Sequence, residues 1–156
     1  MDCRERLEQY LCENGVPFET MAHQQVFTMP EVAAALHVSG KQVAKTVIVK
    51  ADATWAMFVI PSPQRLDLPK VRAILGAQKI SVAREDDFAE LFPDCATGAM
   101  PPFGNLYGLR VYVDVALAEQ NEIVFRVGTH RHAMRVAYAD YTRLVQPTEG
   151  DFTLGF

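Results

Sequence analysis

Lys45 stands in the run V-A-K-T-V-I-V, where period-two alternation puts it on the same strand face as Val43, Val47 and Val49. That face should be buried, and a lysine is seldom buried without a partner. Either its stem snorkels past a strand end or meets a carboxylate, or its ammonium points into a polar cavity where it can hold an anion. Further on, T-G-A-M-P-P-F-G, Thr97 to Gly104, sets two glycines around two prolines. Gly98 permits unusual backbone angles, and Pro101 and Pro102 stiffen the chain. The amides around Gly98, Ala99 and Met100 can then be aimed at a carbonyl oxygen or an oxyanion, although the same composition also makes ordinary turns. The third cluster is Gly128, Thr129, His130, Arg131 and His132. In an extended segment both histidines would share a face, and an H-x-H pair can ligate zinc. Two ligands are not a site, and no H-E-x-x-H or C-x-x-C spacing supplies the others, so no metal is expected.

Other reactive residues carry less. Cys3, Cys12 and Cys95 are an odd set without scaffold spacing and read as thiols of a reducing compartment. Asp94 beside Cys95 opposes thiolate formation, so Cys95 reads as inert rather than nucleophilic. His23 and His37 carry no signal beyond surface or cap use. No G-x-G-x-x-G, Walker or G-x-S-x-G motif occurs, and no cofactor is expected.

The elements that must position these residues follow from pattern. Asp2 to Asn14 has apolar residues at helical spacing with Asp2 as cap and Gly15 and Pro17 as stop. Thr28 and Glu31 form a capping box ahead of a short helix over Met29 to Leu36. Gln42 to Lys50 and Thr54 to Ile60 read as a hairpin. Asp67 caps a helix through Leu75 that Gly76 ends. A strand at Ile80 to Val82 and a helix over Glu85 to Phe92 follow, then an irregular loop from Pro93 to Asn105. Strands at Leu109 to Val115, Glu122 to Val127 and His132 to Tyr138 precede a helix over Asp140 to Val145, and the tail after Pro147 is expected to fray. This makes one mixed α+β domain over 1–156, core about 7–145, with a largely antiparallel sheet flanked by helices.

Composition bounds the partners. The chain has 156 residues, 49% apolar and 22% charged, which suits one folded domain. Its formal charge of −4 argues against a broad basic footprint, so any nucleic acid must be gripped locally. The apolar runs are too short to span a membrane, and MDCRERLEQY has no apolar signal core, so a cytoplasmic location and no membrane partner are expected.

Taken in order, V-A-K-T-V-I-V, G-A-M-P-P-F-G and V-G-T-H before a last strand and helix resemble the YbaK and prolyl-tRNA-synthetase-associated domain family, over about Leu7 to Val145. The resemblance implies a partly barrel-like mixed sheet. It also implies a trans-editing deacylase, one that hydrolyses the ester joining a wrong amino acid to the terminal adenosine of a tRNA, for example a tRNA for proline or a small amino acid. Such an activity answers a real limit, since one methylene is worth only about 1–3 kcal/mol to a synthetase pocket. By the same resemblance Lys45, Gly98 and His130 are the catalytic set. Thr46, Ala99, Met100, Pro101, Pro102, Gly128 and Thr129 would bind substrate. The partners implied are the tRNA acceptor end and an aminoacyl-tRNA synthetase. Thr46 stands where the alanine-editing branch commonly has asparagine, so the bond is better specified than the amino acid. A non-catalytic aminoacyl-tRNA or nucleotide-binding module is the alternative from another class.

Overall fold

The computed structural model describes residues 2–22, 39–96 and 98–155. His23, His37, the Thr28–Glu31 capping box, the helix over Met29 to Leu36 and Thr97 lie outside the described residues.

Helix α1, Cys3–Glu13, begins where Asp2 accepts the Glu5 amide at 2.8 Å and buries Cys3, Leu7 and Leu11. Strand β1, Phe18–Ala22, follows; its run FETMA gave no clear alternation and was not expected from the sequence pattern. The predicted hairpin is present as β2, Val43–Ala51, and β3, Thr54–Pro61, antiparallel from Ala44↔Pro61 to Ala51↔Thr54. Helix α2, Leu68–Leu75, starts at its Asp67 cap, carries Pro69 in its first turn and ends at Gly76. After β4, Ile80–Val82, the expected helix over Glu85 to Phe92 divides into α3, Glu85–Phe88, and a 3-10 turn, Ala89–Leu91. A second 3-10 turn, Gly104–Tyr107, closes the long loop. Strand β5, Arg110–Asp114, leads into a one-turn helix α3-sized in length, α4, Val115–Ala118, capped by Asp114. Strands β6, Glu122–Arg126, and β7, His132–Ala137, precede α5, Tyr138–Val145, and β8, Thr148–Gly150.

Among the described residues the strands form one sheet in the order β1-β7-β6-β2-β3-β5-β8, with β4 pairing to β2 beside this path. The pairs β1–β7, β6–β7, β2–β3 and β2–β4 are antiparallel, while β2–β6, β3–β5 and β5–β8 are parallel, so the sheet is mixed. The larger core lies on one face, where Ala44, Ile48, Met57, Val59 and Phe125 meet Leu7 and Leu11 of α1 and Tyr141 of α5. A smaller core of Val49, Ala56, Phe58, Val71, Tyr112 and Phe152 fills the other.

The tail does not fray. Strand β8 pairs in parallel with β5, and Phe152 is 1% exposed, with Phe58 and Tyr112 ring centroids 5.2 and 6.0 Å away. Buried Asp114 accepts the Phe152 amide at 3.0 Å. Burying an aromatic side chain and pairing its backbone offset the entropy that frees most chain ends.

Candidate functional site

Strand β2 changes partners along one edge. It pairs with β6 at Val43↔Val124 and Ala44↔Phe125, and with β4 at Val49↔Val82 through Ala51↔Ile80. Among the described residues no strand pairs with that edge at positions 45 to 48. Lys45 and Thr46 therefore stand where two strands part, and each is half-buried. The Lys45 ammonium donates to the Gln64 carbonyl at 2.7 Å and has no carboxylate partner among the described residues. Desolvation holds its pKa below the ordinary 10.5, and the nearby positive charge of Arg65 lowers it further. Among the described residues no ion pair, the ordinary use of such a lysine, is made.

The loop from Ala96 comes to the same end of the sheet because it is tied to Gly128. The Ala96 amide donates to the Gly128 carbonyl at 2.9 Å, and the Gly128 amide donates to the Ala99 carbonyl at 2.8 Å. Gly128 adopts φ +78°, and a Cβ there would lie 3.2 Å from the Arg4 backbone, so the start of α1 packs directly on it. Gly98 has φ +81°, a left-handed conformation that costs other residues about 1–2 kcal/mol. Its carbonyl accepts from buried Arg126, which follows the last residue of β6 paired with β2 just as Lys45 follows the last residue of β2 paired with β6. Arg126 is the residue of this site that pattern reading passed over, although an arginine ending the apolar run E-I-V-F-R is as anomalous as Lys45.

Within the loop, the Ala99 amide already donates to the Ala96 carbonyl at 3.0 Å, whereas the amides of Gly98 and Met100 have no protein acceptor among the described residues. Ala99, Met100, Pro101 and Pro102 are buried, and the Pro102 carbonyl accepts from the Tyr141 hydroxyl at 2.7 Å. The tie to a fully buried tyrosine fixes the loop's far end. Beside it, Phe88, Phe92, Cys95, Ala96 and Met100 are among the residues that line a cavity of about 100 Å³.

His130 lies in the β6–β7 turn, partly buried, and not in an extended segment. Val127 donates its amide to the His132 carbonyl, and the Thr129 hydroxyl lies 2.7 Å from His132 Nδ1 while accepting the Arg131 amide at 3.2 Å. The shared histidine face expected of H-x-H is thus replaced by a turn, because Gly128 at positive φ reverses the chain there. Thr129 spends its hydroxyl inside that turn.

The cysteine expectation is overturned. Cys3 and Cys95 form a disulfide with Cα atoms 5.0 Å apart, leaving exposed Cys12 as the free thiol among the described cysteines. Spacing along the chain could not reveal it, since the two are 92 positions apart and meet only because α1 docks on the loop. Around the bridge, the Cys3 amide donates to the Asp94 carbonyl at 2.9 Å, Arg6 approaches Asp94 at 3.5 Å, and the Tyr107 hydroxyl donates to Asp94 at 3.1 Å. Burial and the Asp94 charge raise the Tyr107 pKa, which keeps that hydroxyl a donor. Cys3, Asp94 and Cys95 also form a group of metal-ligand types, but the disulfide removes both thiolates. Among the described residues no helix is long and apolar enough to cross a membrane.

The chain is similar to proteins already known. The profile of the aminoacyl-tRNA editing domain matches residues 23–144. A proline–tRNA ligase of Staphylococcus epidermidis is 27% identical over 128 residues, 81% of this chain and 22% of the ligase. One of Bacillus mycoides is 24% identical over 100 residues, 64% of this chain and 18% of the ligase. The chain thus spans about a fifth of the length of these curated relatives. A solved protein described as a candidate trans-editing enzyme for prolyl tRNA synthetase superposes with a TM-score of 0.85 at 23% identity, covering 97% of each chain. A hypothetical protein gives 0.86 at 22% identity, over 95% of this chain and 99% of its own. At these identities the superpositions speak for the fold.

Proposed function

Since the chain belongs to the aminoacyl-tRNA editing domain family, matched over residues 23–144, we propose that it is a deacylase that hydrolyses the ester of a mischarged aminoacyl-tRNA. The observation that carries the reading is the Lys45 ammonium. It is half-buried at the parting of β2 from its neighbours, bonded to one main-chain carbonyl and paired with no carboxylate among the described residues. A buried cation without a counter-charge is a folding liability, and a polyanionic ligand is what would repay it.

In this reading Lys45 holds the 3′-terminal nucleotide by its phosphate or hydroxyls. The amides of Gly98 and Met100 donate to the ester carbonyl, and to the oxyanion when water attacks the carbonyl carbon. The bond to the ribose oxygen then breaks, that oxygen takes a proton, and the amino acid leaves as its carboxylate. The vicinal ribose hydroxyl orients the water, and His130 positions the amino-acid side chain. Thr46, Ala99, Pro101, Pro102, Gly128 and Thr129 shape the walls. The tRNA acceptor end is the partner, with a synthetase supplying the mischarged product; no metal or cofactor takes part.

A panel of mischarged tRNAs tests the reading. Turnover on a tRNA for proline carrying a wrong small amino acid is expected; tight binding with no turnover on any member would make the protein a binding module instead. With a charge of −4 and no basic tract, recognition should be confined to the acceptor end and respond only shallowly to salt. An acceptor-stem minihelix is therefore expected to react nearly as fast as whole tRNA, and an inert minihelix would show that the tRNA body is read. Gly98→Ala is expected to lower single-turnover deacylation by about 10²-fold, the usual loss when an oxyanion donor is displaced. Its thermal melt should record a destabilisation of about 1–2 kcal/mol from the positive φ. An unchanged rate would reduce the loop to a turn.

A further inference from the structure

Gln64 sits in the connection between β3 and α2, 3% exposed, and its side-chain oxygen has no hydrogen-bond partner among the described residues. The segment holding it is not loose. The Ser62 amide donates to the Val43 carbonyl at 2.8 Å, the Gln64 amide to the Pro61 carbonyl at 3.0 Å, and the Leu154 amide to the Arg65 carbonyl at 3.0 Å. A buried amide oxygen on so fixed a backbone is costly unless something donates to it, and native proteins leave few such groups without a purpose. Another lies on Thr20 in β1, on the far side of β7 and β6 from β2. Gln64 is different in place, because its own carbonyl is the acceptor for Lys45. The orphan amide and the unpaired ammonium thus meet at one residue.

We propose that Gln64 reads the free vicinal hydroxyl of the terminal ribose, its side-chain oxygen accepting from that O–H. The inference rests on the editing function proposed above. An ammonium only donates and suits a phosphate, whereas an amide oxygen only accepts and needs a donor, which a phosphodiester lacks. The ribose is covalently placed between the 5′-phosphate and the base, so it is the donor-bearing group nearest to whatever Lys45 holds. Gln64 is a binding and positioning residue here, fixing the hydroxyl that orients water.

The experiment is a coupling measurement on binding. The probes are acceptor-stem minihelices whose terminal adenosine carries the amino acid through a stable 3′-amide, with either a 2′-hydroxyl or a 2′-hydrogen. Wild-type protein is expected to bind the hydroxyl probe about tenfold more tightly, the value of one hydrogen bond to a buried group. Gln64→Leu and Gln64→Met are expected to bind both probes alike, at the weaker affinity, and to melt at or above the wild-type temperature because an unpartnered polar atom is gone. Two variants guard against one failing to fold. A hydroxyl preference that persists in the variants overturns the assignment. So does a wild type that binds both probes equally, and that result leaves the editing function standing. If the variants lose instead the preference for adenine over a purine without its amino group, the amide reads the base and the assignment fails. No binding of either probe by wild type would remove the editing reading itself.

Discussion

Lys45→Ala is expected to reduce single-turnover deacylation by at least about 10³-fold while leaving the melting temperature unchanged or higher. Both halves come from one geometry. The ammonium is partly desolvated, lies near Arg65 and is bonded only to the Gln64 carbonyl, so its removal strands no carboxylate among the described residues. Breaking a structural ion pair would instead cost about 3–5 kcal/mol. Lys45→Arg should rescue little, since a longer planar guanidinium keeps the charge but moves its donors. The pKa gives a second readout. Because desolvation first and Arg65 second hold it below 10.5, activity that needs the charged form should decline on the alkaline side before an ordinary lysine would titrate. Stability runs the other way: between the lowered folded value and 10.5 the unfolded chain binds more protons, so this group's contribution makes the fold more stable as pH rises through that window. A variant that melts much earlier yet deacylates at the wild-type rate would refute the assignment.

Reduction of the Cys3–Cys95 bridge is expected to have the largest effect on stability. The bridge closes a span of 92 positions, for which the chain-entropy account gives roughly 4–5 kcal/mol. For a domain of this size that is a fall in melting temperature on the order of 10 °C. The Cys3→Ala, Cys95→Ala double variant should melt near the reduced wild type and ignore reductant. Equal melting of oxidised and reduced wild type would show the bridge contributes nothing to the folded state. Because Cys95 adjoins Ala96, whose amide holds Gly128, the same melt reports on the support of the Gly98 loop.

Helices α1 and α2 were legible because their capping signals are local. Asp2 and Asp67 each accept an amide three residues on, and no distant residue is needed to decide that. The β2–β3 hairpin was legible for a related reason, since its strands and their two-residue connection, Asp52 and Ala53, share one short stretch. Lys45 was legible as a type out of place against those patterns, whereas Gly98 and His130 entered as catalytic candidates through the family resemblance. The H-x-H reading went astray because it assumed an extended backbone, and one positive φ at Gly128 turned the chain.

By itself, then, the sequence determined the capped helices α1 and α2, the β2–β3 hairpin and the lysine misplaced on an apolar strand. The tertiary structure alone decided that β2 would exchange β6 for β4 along its edge and leave Lys45 in the opening. It alone brought Cys3 to Cys95, laid Phe152 on Phe58 and Tyr112, and set the unpartnered Gln64 oxygen beside the lysine's acceptor. The physical reason is range. Caps, turns and alternation are settled by forces acting over a few residues, whereas partner exchange, a disulfide and a buried orphan depend on which distant surfaces the core draws together, and no window of sequence contains both sides of that contact.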